Sequence, residues 1–111
     1  MGREKRITRQ GEIDACYRQG RRWNGRLMRI HVRPNGLPQA RLAISISGKV
    51  CNSVLRNRWK RLLREAFRLN GEAIGPGLDI VVVPTRPPES LKLADVEAML
   101  LDLVKRHRGA R

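Results

Sequence analysis

The chain has 111 residues, 41% of them hydrophobic and 31% charged, with 24 Lys and Arg against 10 Asp and Glu for a formal net charge of +14. That length supports one compact domain with a small core, and general disorder is excluded by the apolar content. No apolar run approaches the roughly 20 residues of a membrane span, no signal-like apolar core follows the basic opening, and two cysteines make neither a disulfide framework nor a four-ligand zinc site; a cytoplasmic protein with reduced thiols is expected.

In chain order, residues 1–8 read as a flexible basic arm in front of a single domain that fills the rest of the 111 residues. A short helix over 9–19 follows, with Ile13, Cys16 and Tyr17 on one face and Gly20 as its stop. Cys16 belongs with the core face, whereas Tyr17 suits core packing and base contact equally. Over 27–33 the period changes to two: Met28, Ile30 and Val32 point one way, Arg29, His31 and Arg33 the other.

Pro34-Asn35-Gly36-Leu37-Pro38 is a turn, after which 41–47 alternates Leu42, Ile44 and Ile46 against Ala43, Ser45 and Ser47. The two strands are expected to pair as a hairpin whose second face, carrying Arg29, His31, Ala43 and Ser45, is polar and open. Cys51 falls in the turn that follows, with room to be exposed.

Residues 53–69 form the most informative segment. At helical spacing Leu55, Trp59, Leu62, Leu63, Ala66, Phe67 and Leu69 share one side, while Arg56, Asn57, Arg58, Lys60, Arg61, Arg64 and Arg68 fill the other, and Glu65 is the only acid. A solvated helix face interleaves acids with bases; six cations on one arc repel one another and point to a polyanion. Gly71 to Gly77 reads as a loop, 78–83 as a buried strand ended by Pro84, and 93–107 as a last helix with Val96, Met99, Leu100, Leu103 and Val104 inward.

The charge is unevenly placed. Residues 1–68 carry eighteen bases against four acids, while residues 69–111 carry six of each, so the whole surplus belongs to the first three-fifths of the domain. Nineteen of the bases are Arg, whose planar fork suits phosphate. Nucleic acid is the favoured partner, and RNA over duplex DNA, since no second helix or zipper accompanies the basic one. Arg29, His31, Ser45 and Tyr17 offer a second surface suited to an unpaired strand, although aromatics at 4% argue against a platform that reads many bases. No phosphate loop, carboxylate pair or activated nucleophile is found, so no catalytic residue and no metal site is assigned to the chain. His31 and His107 read as surface or RNA-facing residues.

The run from Ser45 to Arg68, with Arg56-Asn57-Arg58 followed by Lys60-Arg61-Leu62-Leu63-Arg64-Glu65-Ala66-Phe67, closely resembles the signature of the protein subunit of bacterial ribonuclease P, and the likeness extends in family order across nearly the whole chain. The resemblance implies a single α+β domain in the order α-β-β-β-α-β-α, its central helix crossing between parallel strands in the rare left-handed sense. It implies a ribonucleoprotein endonuclease in which a large RNA, using Mg2+ held mainly by that RNA, removes the 5′ leader from precursor tRNA. The partners implied are ribonuclease P RNA and precursor tRNA, with no membrane and no obligate protein partner.

By the same resemblance Arg56, Asn57, Arg58, Lys60, Arg61, Arg64 and Arg68 bind the catalytic RNA. Ile13, Tyr17, Arg29, His31, Ala43, Ser45 and Lys49 line a cleft for the single-stranded leader. Ile13 stands where the family often has Phe and His31 where Tyr is common, which rests leader stacking on Tyr17; Gly48 and Cys51 replace a usual Lys and Gly. The alternative expectation is a general RNA-binding or ribosome-associated protein with no enzymatic context.

Overall fold

The computed structural model describes residues 5–88 and 90–110. The chain runs α1 (Gln10–Gln19), β1 (Arg21–Asn24), β2 (Met28–Pro34), β3 (Arg41–Ile44), α2 (Ser53–Leu69), α3 (Gly71–Ile74), β4 (Leu78–Pro84) and α4 (Leu93–Gly109). This is the expected mixed α+β order, with the short turn of helix α3 added where a loop was expected. The third strand ahead of the long helix, which the residues had not located, is β1: four residues, Arg-Arg-Trp-Asn, too few and too polar to show a period.

The four strands form one sheet in the order β1-β2-β4-β3, with β3 parallel to β4 and the other pairs antiparallel. The expected hairpin between β2 and β3 is therefore not formed. Their apolar faces do coincide, but β4 lies between them. Its run Leu-Asp-Ile-Val-Val-Val-Pro is apolar on both faces, and such a strand is stable only when covered on both sides, which a central position provides. The connection over 35–40 spans the width of that inserted strand, two spacings or about 10 Å.

On one face Met28, Ile30, Val32, Leu42, Ile80 and Val82 pack with Trp59, Leu63 and Phe67 of α2 and with Val96, Leu100, Leu103 and Val104 of α4. On the other, α1 covers a smaller cluster of Ile7, Cys16 and Val81, flanked by Ile13, Ala43 and Val83. Of the basic arm expected over 1–8, residues 1–4 lie outside the described residues. Arg6 bridges Leu42, and Ile7, 5% exposed, donates its amide to the Leu42 carbonyl, so here the arm is docked on the β3 edge.

Local signals explain the ends of the elements. The Asn52 side chain accepts from the Leu55 amide at 3.0 Å and caps α2. Gly20 follows α1 where only glycine fits, since a Cβ there would lie 2.8 Å from the Val32 carbonyl oxygen and closer still to that of Cys16. Gly75, at φ 80°, ends α3. Leu69, expected in the core, is 50% exposed, whereas Ala66 and Phe67 of the same turn are buried. Cys51, placed in an open turn by the sequence, is buried against the core.

Candidate nucleic-acid interface

The basic arc of α2 faces outward, but its cations are not equivalent. Arg61 and Arg64 are exposed and Lys60 half-buried, and none of the three has a hydrogen bond or ion pair among the described residues. Asn57 is also exposed. Arg56 and Arg58 are partly committed to the fold: Arg56 Nη1 donates to the Cys51 carbonyl at 3.2 Å, and Arg58 Nη2 donates to the Leu91 carbonyl at 2.6 Å, tying α2 to the segment before α4. Arg58 Nε is buried without a partner among the described residues. Arg68 pairs with Glu65, whose carboxyl is held below its usual range by that guanidinium. A groove of about 470 Å³ runs between α2 and the start of α4, with Leu62 and Leu93 as its apolar floor and Arg58, Arg61, Arg64 and Arg68 around it.

The second surface lies between α1 and the sheet. Side chains directly opposite across a ladder share a face, so the registers Arg22↔His31, His31↔Val81 and Ala43↔Val81 set these residues in one row across all four strands. Tyr17, 38% exposed, reaches from α1 to stand edge-on to His31, with ring centroids 4.5 Å apart. Arg29 Nε donates to His31 Nε2 at 3.1 Å. The sheet face is thus less open than its alternation suggested: His31 is 6% exposed, because α1 covers it. Burial, then Arg29 and Arg22, push the His31 imidazole below its ordinary pKa.

Ile13 and Ala43 meet in the α1-side cluster. Ser45 and Lys49 are exposed and lie past the end of β3, in the turn that leads into α2. The structure therefore gathers Ile13 and Tyr17 of α1 with Arg29, His31 and Ala43 of the sheet and sets Ser45 and Lys49 at the mouth. A narrower groove of about 200 Å³ joins the two surfaces, lined by Arg6, Ile7, Ile13, Ala43, Lys60 and Arg64 among others. Sequence reasoning had no access to that junction, because it joins α1, β3 and α2.

One corner of this face is neutralised. Asp79, fully buried on β4, takes Arg41 on both carboxylate oxygens at 2.8 and 2.7 Å and Asn35 at 3.0 Å, and Arg41 also reaches Glu12 of α1 at 2.6 Å. These bonds raise the Arg41 pKa further and fasten α1 over the sheet. The only signal for them in the sequence is a lone acid inside an apolar run. Beside them the Cys16 thiol, fully buried, is pushed up to about 11 by burial and by Asp79, which makes it a packing residue. His107, expected on the surface, is half-buried and accepts the Trp23 indole N–H at 3.0 Å. Among the described residues no three His, Cys, Asp or Glu side chains converge as a metal site.

The sequence profile of the Ribonuclease P family matches residues 1–108. The ribonuclease P protein component of Desulfovibrio desulfuricans is 41% identical over 110 residues, covering 96% of this chain and 85% of the relative; that of Clostridium botulinum is 34% identical over 105 residues, covering 94% and 95%. The RNase P protein of Thermotoga maritima superposes with a TM-score of 0.83 at 30% identity over 91% of this chain and 96% of its own. A Staphylococcus aureus RNase P protein mutant with defective mRNA degradation activity gives 0.84 at 26% identity over 95% and 89%. Sequence, element order and fold agree, and the chain belongs to the ribonuclease P protein family, as the protein component of that tRNA-processing endoribonuclease.

Proposed function

We propose that this chain binds the catalytic RNA of ribonuclease P through the outward face of α2 and the single-stranded leader of precursor tRNA in the cleft under α1, leaving hydrolysis to the RNA. Asn57, Lys60, Arg61 and Arg64 make the phosphate contacts of the first surface, with Arg56, Arg58 and Arg68 at its margins. Ile13, Tyr17, Arg29, His31 and Ala43 form the second, and Ser45 and Lys49 guide the leader into it. The observation that carries the reading is the junction: Lys60 and Arg64 line the same groove as Ile13 and Ala43, so one strand leaving an RNA held on α2 meets the exposed edge of α1 directly. In this reading the magnesium belongs to the RNA, and the protein's part is confined to phosphate neutralisation and strand positioning. In this reading the chain works in the cytoplasm, with the catalytic RNA and its precursor substrates.

Reconstitution tests this. Added to a bacterial ribonuclease P RNA at low magnesium, the protein is expected to stimulate cleavage of precursor tRNA and to cut nothing alone. Absence of stimulation favours a general RNA-binding protein instead. Tyr17→Ala is expected to weaken binding of a precursor with a leader while leaving mature tRNA unaffected; an equal loss for both removes the cleft from the mechanism.

A further inference from the structure

The β1 end of the cleft carries two arginines that the family resemblance does not pair. Arg22 faces His31 across the β1–β2 ladder and Asn24 faces Arg29, so these four side chains form a square on the α1 side of the sheet. The arginines occupy one diagonal and two neutral acceptors the other. Arg22 Nε donates to Asn24 Oδ1 at 3.1 Å, and Arg29 Nε donates to His31 Nε2 at 3.1 Å. Each guanidinium is therefore steered through Nε by a neutral neighbour, and its outer fork has no hydrogen-bond partner among the described residues. Neither arginine has a salt bridge among the described residues, whereas Arg41, at the other corner of the same face, is held by two carboxylates.

We propose that Arg22 and Arg29 form a phosphate seat at the β1 end of the cleft, gripping the backbone of the leader where it leaves the sheet. This rests on the cleft reading above and extends it to β1. Two like charges held as diagonal neighbours repel each other unless an anion lies between them, and a phosphodiester supplies two acceptor oxygens suited to guanidinium forks. A strand that enters at the β3 edge, beside Lys60 and Arg64, runs alongside α1 over the less buried row of Val83 and Arg29, and so crosses three strand spacings of about 4.8 Å each before reaching Arg22. Only a leader of several nucleotides spans that distance. The seat makes Arg22 a length-sensing residue for the 5′ leader, independent of base identity.

The experiment uses the holoenzyme assembled from this chain and a bacterial ribonuclease P RNA, under conditions that block cleavage. Its probes are precursor tRNAs whose leaders are a single nucleotide or about ten nucleotides long. Arg22 is exposed, and Arg22→Gln should leave the melting temperature unchanged. That variant is expected to weaken the long-leader substrate by roughly five- to tenfold, to lower its salt slope by about 0.7, and to leave the short-leader substrate as it was. Arg22→Lys should recover most of the loss. Parent-like affinity of Arg22→Gln for the long leader overturns the seat, and so does an equal loss for both leaders. Should the parent holoenzyme bind both leaders alike, the cleft reading fails and the seat with it.

Discussion

Burial of a titratable side chain turns structure into pH dependence, and two histidines do so here. His31 is held neutral by burial and by Arg29 and Arg22, and His107 by burial and by Arg21 and Arg108, so both titrate below 6.5 in the folded state. The unfolded chain takes up these protons first as pH falls. Stability is therefore full above about pH 7 and declines as pH drops through 6.5 toward the depressed folded values. Thermal melts between pH 7.5 and 5.5 should show this decline, and His31→Phe should flatten part of it; an unchanged slope in that variant assigns the effect elsewhere. Asp79 poses the opposite problem, a buried carboxylate stable only through Arg41 and Asn35. Asp79→Ala leaves the Arg41 charge without its buried partner and should cost about 3–5 kcal/mol in urea titrations.

At the scale of the element, α2 supports the fold and presents the proposed RNA face with the same residues in part. Arg58 supports the segment before α4 through the Leu91 carbonyl, whereas Arg61 and Arg64 bond to nothing among the described residues. Arg61→Ala with Arg64→Ala should weaken binding to the catalytic RNA and lower the log-log salt slope by roughly 0.7 to 0.9 per lost phosphate contact, with no change in melting temperature. Arg58→Ala should lose RNA affinity and, in addition, about 1–3 kcal/mol of stability, because the hydrogen bond to a backbone carbonyl goes with it. Equal melting temperatures for the two variants would contradict the structural role of Arg58. Gly20 plays a comparable double part for α1: any side chain there meets the β2 backbone, and Gly20→Ala should lift α1 from the sheet and loosen the cleft as well as the fold.

Over the whole molecule the cations separate into those that carry the proposed RNA face and those tied into the fold. In the electrically balanced region beyond residue 68, Arg106 pairs with Asp102, and Arg108 donates to the carbonyls of Ile74 and Pro76, so α4 spends these cations within the fold. Substituting Arg106 by Gln should leave the salt dependence of RNA binding unchanged, in contrast to the α2 pair. A drop in slope would move part of the interface to α4.

Much of this was open to the sequence because it is written in local periodicity. The two faces of α2, the continuous apolar run of β4, the stripe of α4 and the excess of arginine over acids are each contained in a few consecutive turns or strand residues, and so is the motif that carries the family likeness. What the tertiary structure alone decided is non-local. The choice of β4 as the partner of both β2 and β3 depends on burying two apolar faces at once, and once β4 is central α1 must cover the opposite side. That covering is what buries His31, brings Glu12 to Arg41, and sets Ile13 in one groove with Lys60. Arg22 is the extreme case: β1 is too short to announce itself, and only its pairing with β2 places a guanidinium on the cleft face. Side-chain period fixes which way a residue points along its own strand, but which neighbours it meets is settled by the order in which strands from distant parts of the chain lie side by side.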